Sequence, residues 1–203
     1  MHQSTSRSAE RPIAAVLLVL DSLALLYELV TQALGGPAAF FDFFSYFTIL
    51  SNLFAIIMLA IMLGDSRPLY WDVIRGAITS YMVVTSLVNR VFLTSSPLDF
   101  TSNIPDTVLH VVTPLGVLWL WFAYPPQRRV AYADIRYWFI FPIVYVIFIL
   151  LRGPGAGWYP YYFLDPRPAG GYARVGISVA FLMLLIGLVM LVVNSIGRIR
   201  RPR

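Results

Sequence analysis

The chain contains no cysteine and no lysine, and only 12% of its 203 residues are charged. The missing cysteines exclude disulfides, thiol nucleophiles and most zinc or iron–sulfur designs. One internal histidine with a few carboxylates does not make up a zinc ligand set, so neither a metal nor a cofactor is expected. No G-x-S-x-G elbow, H-E-x-x-H pair or glycine-rich phosphate loop is present. All 15 basic residues are arginine, and the net charge is +5. That excess does not point to nucleic acid, because the arginines cluster where a membrane protein carries its cytoplasmic anchors.

What is abundant is apolar sequence. Hydrophobic residues make up 59% of the chain, with a mean hydropathy of +0.74. Apolar runs of ~20 residues, the length a bilayer core requires, recur along it. The expected fold is an all-α, polytopic bundle forming a single transmembrane domain over 1–203. Its helices are expected at 12–34, 43–63, 73–93, 106–124, 134–151 and 172–196. Turn chemistry separates them at Gly35-Gly36-Pro37, Gly64 to Pro68, Ser95-Ser96-Pro97, Pro125-Pro126 and Gly153 to Gly157. The first helix is expected to be retained, since no small-residue cleavage site follows it.

The positive-inside rule sets the expected direction. With a cytoplasmic N-terminus the inner side holds Arg7, Arg11, Arg67, Arg75, Arg128, Arg129, Arg136, Arg198, Arg200, Arg201 and Arg203. Only Arg90, Arg152, Arg167 and Arg174 remain outside. Both termini are therefore expected in the cytoplasm. Arg75 and the C-terminal arginines read as membrane anchors. The long outer loop, with Trp158-Tyr-Pro-Tyr-Tyr-Phe163, reads as an aromatic interface anchor or as a cap over an outward-facing cavity.

His110, the only histidine outside the N-terminal tail, falls inside a span, where a titratable ring is costly and marks function. At ~1.5 Å per helical residue it lies roughly 6 Å below the outer end of the fourth helix. Thr48 on the second helix, Asn89 and Arg90 on the third, and Glu28 on the first reach the same layer. Ser45, Thr48 and Asn52 form one helical stripe; Asp106, His110, Thr113 and Pro114 form another. Asp21, Glu28 and Gln32 share a side of the first helix; Thr79, Ser86 and Arg90 share a side of the third. Each has a structural alternative. A threonine usually bonds the carbonyl one turn back. Asn52 and Asn89 can be interhelical glue, Arg90 can snorkel to headgroups, and Glu28 can pair with Arg90 or His110.

A hydroxyl and an imidazole at one depth suffice for nucleophilic acyl chemistry, with His110 taking the proton and Thr48 attacking a carbonyl. Asn52, Asn89 and Arg90 are candidate oxyanion donors, and Asp106 can fix the histidine tautomer. Phe44-Ser-Tyr-Phe-Thr48-Ile-Leu-Ser-Asn52-Leu, Val108-Leu-His110-Val-Val-Thr113-Pro114 and Tyr161-Tyr-Phe-Leu-Asp165 together resemble one family. The chain is similar to the Pr6Pr family of bacterial integral membrane proteins. More distantly it resembles the androgen-induced (FAR-17a-type) membrane hydrolases of animals, which are threonine hydrolases of fatty acid esters of hydroxy fatty acids. The resemblance spans all six expected helices through short motifs. It places Thr48 and His110 at that family's catalytic threonine and histidine. It departs where the animal proteins carry an Asp near Asn52 and a proline where this chain has Tyr162.

The resulting expectation is an intramembrane esterase of long-chain acyl esters in the bacterial inner membrane. Its active site faces the outer leaflet, and its partners are a lipid ester and the bilayer. The alternative is a transporter or proton conductor using Asp21, Glu28, Arg90 and His110. A non-catalytic lipid-binding scaffold is a third reading.

Overall fold

The structure, a computed structural model, describes residues 2–94 and 103–199, with backbone alone for 2–8. The expected turn at Ser95-Ser96-Pro97 and the terminal Arg200, Arg201 and Arg203 lie outside the described residues. What is described is all-helical. The helices are α1 (His2–Ala33), α2 (Pro37–Phe43), α3 (Phe47–Leu63), α4 (Trp71–Val88), α5 (Ile104–Thr107), α6 (Thr113–Ala123), α7 (Ile135–Trp138), α8 (Ile140–Ala156) and α9 (Gly171–Ile199). A π-helical turn, Asn89–Leu93, extends α4, and another, Val108–Val112, joins α5 to α6.

Five stretches among the described residues are long and apolar enough to cross a membrane: Ala9–Ala33, Trp71–Leu93, Ile104–Ala123, Tyr132–Ala156 and Gly171–Ile199. A sixth exists if α2 and α3, bent by 67° across their break, count as one span. The exterior suits lipid: Leu23, Ile57, Trp119, Val144, Leu151 and Leu184 all stand exposed. This is an integral membrane protein by its helices and its surface.

The continuous second helix expected at 43–63 is not what forms. The chain breaks at Phe44-Ser45-Tyr46, with Tyr46 extended (φ −87°, ψ 131°). No proline or glycine causes this. Two distant tyrosines supply the hydrogen bonds that the helix gives up: Tyr145 donates to Ser45 O at 2.8 Å, and Phe47 N–H donates to Tyr161 Oη at 3.1 Å. Thr48 thus lies in the first turn of α3 rather than five residues into a longer helix.

Both described chain ends lie at one end of the bundle. There Glu10 pairs with Arg67 at 2.9 Å, Arg11 pairs with Asp65, and Arg198 donates to Val130 O at 2.6 Å. Arg75 is not an anchor. It is 4% exposed and donates to Leu120 O (2.6 Å) and Tyr124 O (2.8 Å), and so holds the C-terminal turn of α6. Apolar packing fills this half, where Leu17, Met58, Leu59, Met62, Met82 and Leu120 are buried together. At the opposite end Arg152 pairs with Asp42 and covers the Trp158 ring at 4.8 Å. The loop after α8 folds back across it there, because Gly153 has no Cβ to collide with the Tyr159 ring.

Candidate active site

Thr48 escapes the usual fate of a helical threonine. Ser51, Thr79, Ser80 and Ser195 each donate to the carbonyl four residues back, at 2.7–2.9 Å. For Thr48 that carbonyl belongs to Phe44, which lies in the break before α3. Its hydroxyl instead meets His110 Nε2 at 3.1 Å. Only 8% of Thr48 is exposed.

The break in regular α-geometry around His110 has a definable origin. Thr113 N–H bonds Val108 O in the π-helical turn, and Pro114 has no N–H to offer. Leu109 O is thereby left without its usual partner. Asn52, fully buried, donates to it at 3.4 Å and to Thr48 O at 2.8 Å. The Asn52 amide thus ties α3 to the turn that carries His110. Its N–H₂ is spent on backbone carbonyls, so Asn52 is not available as an oxyanion donor.

His110 Nδ1 lies 2.9 Å from Asp106 Oδ1 and 3.1 Å from Asp106 O, one turn earlier. Both neighbours are acceptors, which assigns the proton to Nδ1 and the lone pair to Nε2. The Thr48 hydroxyl therefore donates to Nε2. Asp106, at 40% side-chain exposure, stays wetter than His110 at 12%. The arrangement is a hydroxyl, an imidazole and a carboxylate in hydrogen-bonded series.

Tyr161, in the loop after α8, enters the sequence reading only within an interface anchor or cap and within the Tyr161-Tyr-Phe-Leu-Asp165 motif, with no role of its own. In the structure it is 8% exposed, and its ring stands edge-on to Tyr46. Its Oη accepts from Phe47 N–H at the start of α3, where intrahelical acceptors are missing. Burial pushes the Tyr161 hydroxyl above the ordinary phenol range, against the pull of Thr48's hydroxyl and N–H and of Phe47 N–H, so the ring keeps its proton. A neutral O–H donor thus stands beside Thr48 at the N-terminus of a long helix. The loop that delivers it is fastened by Arg167 to Asp165 (2.6 Å) and by Arg174 to Asp165 O (2.6 Å). The Arg167 guanidinium holds the Asp165 carboxyl down at about 2. The signal available in the sequence is the density of tyrosine in that loop, but no spacing rule connects it to Thr48.

Two cavities meet at Thr48. One, of about 60 Å³, lies among α3, α4, α8 and α9 and is walled by side chains such as Val84, Val88, Val146, Leu182, Met183 and Ile186. The other, of about 350 Å³, is polar and is lined by Glu28, Gln32, Asn103, Asp106 and His110. Thr48, Asn89 and Tyr161 border both; His110 borders only the polar one. Glu28 is beside the candidate pair, and Asn89 faces it from the end of α4. Arg90 lines neither cavity. It faces α6 in a separate cleft with Ser86, Leu87, Pro114 and Leu118, so it is not placed as an oxyanion donor. The Ser86–Arg90 stripe points at α6, one residue's rotation away from the Thr85–Asn89 side that faces Thr48. Asp21 is fully buried beside Thr113 and lines neither cavity.

No family model, curated protein or solved structure matches the chain.

Proposed function

We propose that the protein is an intramembrane esterase of long-chain acyl esters, with Thr48 as nucleophile and His110 as general base and acid. In this reading α2 and α3 form one broken span of six, both termini are cytoplasmic, and the candidate site faces the outer leaflet of a bacterial inner membrane. An ester carbonyl sits just below the headgroups, which is the depth assigned to Thr48. The single observation that carries the reading is the Thr48–His110–Asp106 hydrogen-bonded series, with Thr48 standing between an apolar and a polar cavity.

The steps follow from the contacts. Thr48 Oγ1 attacks the ester carbonyl carbon as its proton passes to His110 Nε2, while Asp106 holds the ring and stabilises the imidazolium. Charge develops on the carbonyl oxygen beside the first-turn N–H groups of α3 and the Tyr161 hydroxyl, with Asn89 as a further neighbour. Collapse breaks the ester C–O bond, and the proton on Nε2 moves to the departing alkoxide. Water, deprotonated by the same Nε2, then releases the acid and restores Thr48.

A relay of Asp21, Glu28, Arg90 and His110 fits less well. Asp21 and Arg90 border neither cavity, and the bundle beyond Asp21 is packed with methionine and leucine.

The test is hydrolysis of long-chain esters by the purified protein. Thr48→Ala and His110→Ala should each lower kcat by about a thousandfold or more, and the double variant should lose little beyond that. Hydrolysis unaffected by Thr48→Ala, together with proton flux in liposomes that depends on His110 and Glu28, would replace the esterase with the relay.

A further inference from the structure

The two cavities assign the two halves of a substrate. This step rests on the esterase reading, because it follows from which side of Thr48 His110 occupies. The general acid must reach the alkoxide as it leaves, and His110 borders the polar cavity alone. The alcohol half therefore departs into the polar cavity, and the acyl side of the ester faces the apolar one. From the charges around that exit we infer that the alcohol half is a neutral polyhydroxy alcohol of the glycerol type, not one bearing a carboxylate or phosphate.

The exit is acidic. Glu28 reaches it from α1 and Asp106 from α5, and no arginine is among its described lining residues. The nearby arginines do not line this cavity. Arg152 is paired with Asp42, Arg167 with Asp165, and Arg90 lies in the α4/α6 cleft. Residues 95–102, which link Thr94 to the lining residue Asn103, contain no arginine, lysine or histidine. An alcohol with a free carboxylate would meet the Glu28 and Asp106 carboxylates with no arginine among the described residues of the cavity wall, in a site only partly open to water. A polyol would find acceptors for its hydroxyls in the Glu28 and Asp106 carboxylates and the Gln32 and Asn103 amides. This differs from the hydroxy fatty acid esters that the family resemblance implies, since those leave as a carboxylate-bearing alcohol.

The test compares three oleoyl esters on the purified full-length protein: monooleoylglycerol, the oleoyl ester of a hydroxystearic acid, and the methyl ester of that second compound. The last two differ in one charge and one methyl group. The wild type should cleave monooleoylglycerol and should favour the methylated ester over its free acid by about tenfold or more in kcat/KM. Glu28→Gln should narrow that ratio several-fold. Gln32→Glu, which adds a charge at an exposed position, should widen it. A free acid cleaved as well as its methyl ester, or a ratio unmoved by both substitutions, overturns the inference while leaving the esterase in place. If the wild type cleaves none of the three, the esterase reading fails and takes the inference with it.

Discussion

Replacing Tyr161 by phenylalanine removes a single oxygen and separates a structural role from a chemical one. The ring has its own packing, stacked on Phe163 at 5.1 Å and edge-on to Tyr46 at 6.1 Å, so the loop should keep its place. In the resting protein Phe47 N–H loses its acceptor at 3.1 Å. A part-buried donor left unpaired costs about 1–3 kcal/mol of stability. In the transition state the oxyanion loses one donor, which costs about 10²–10³ in kcat, or about 2.7–4 kcal/mol. The second loss falls on kcat with KM nearly unchanged, because the ground-state carbonyl does not make that bond. Steady-state kinetics on a soluble nitrophenyl ester, with thermal unfolding of the same preparation, reads both. A kcat within about threefold of wild type, beside a lowered unfolding midpoint, would refute the oxyanion role and leave Tyr161 purely structural.

Pro114→Ala restores an N–H to the turn that carries His110, so the π-helical turn should relax towards α-geometry. The fold should hold while kcat drops by about tenfold or more, since a misplaced base slows proton transfer; unchanged kinetics would show that the turn does not aim His110. The chain has no native cysteine, so single cysteines report topology directly: Ala169→Cys should react with an impermeant reagent outside the cell, and one appended after Arg203 should not. The reverse pattern would move the candidate site to the inner leaflet. Asp165 titrates at about 2 instead of 3.8 because Arg167 favours its ionised form. Its contribution to holding the loop is therefore complete above about pH 4 and drains as pH falls towards 2. A fluorophore on the thiol of the Ala169→Cys variant should gain mobility only across that acid window, and Asp165→Asn should abolish the transition.

Five of the spans were legible because apolar length follows directly from the thickness of the bilayer. Counting ~1.5 Å per residue also put Thr48 and His110 in one layer. Local pattern failed where distant residues decide. The break before α3 is completed by Tyr145 and Tyr161, 100 and 114 residues away in sequence from the groups they bond. Asn52 reads as an oxyanion donor until Pro114 is seen to leave Leu109 O without a partner, which turns the amide towards the backbone. Arg90 shares the expected layer but not the expected face, since depth counting carries no information about which neighbour a helix side meets. Arg75 has the sequence context of an anchor, yet the end of α6 lies where its guanidinium can hold it.

The central claim is that the Thr48 hydroxyl, activated by His110, is a nucleophile. Intact-mass and peptide mapping after treatment with a fluorophosphonate tests it most directly. The expected result is one adduct per chain on Thr48, retained in part by Thr48→Ser and lost in Thr48→Ala and His110→Ala. An adduct on any other residue, or labelling that persists in Thr48→Ala, would contradict it.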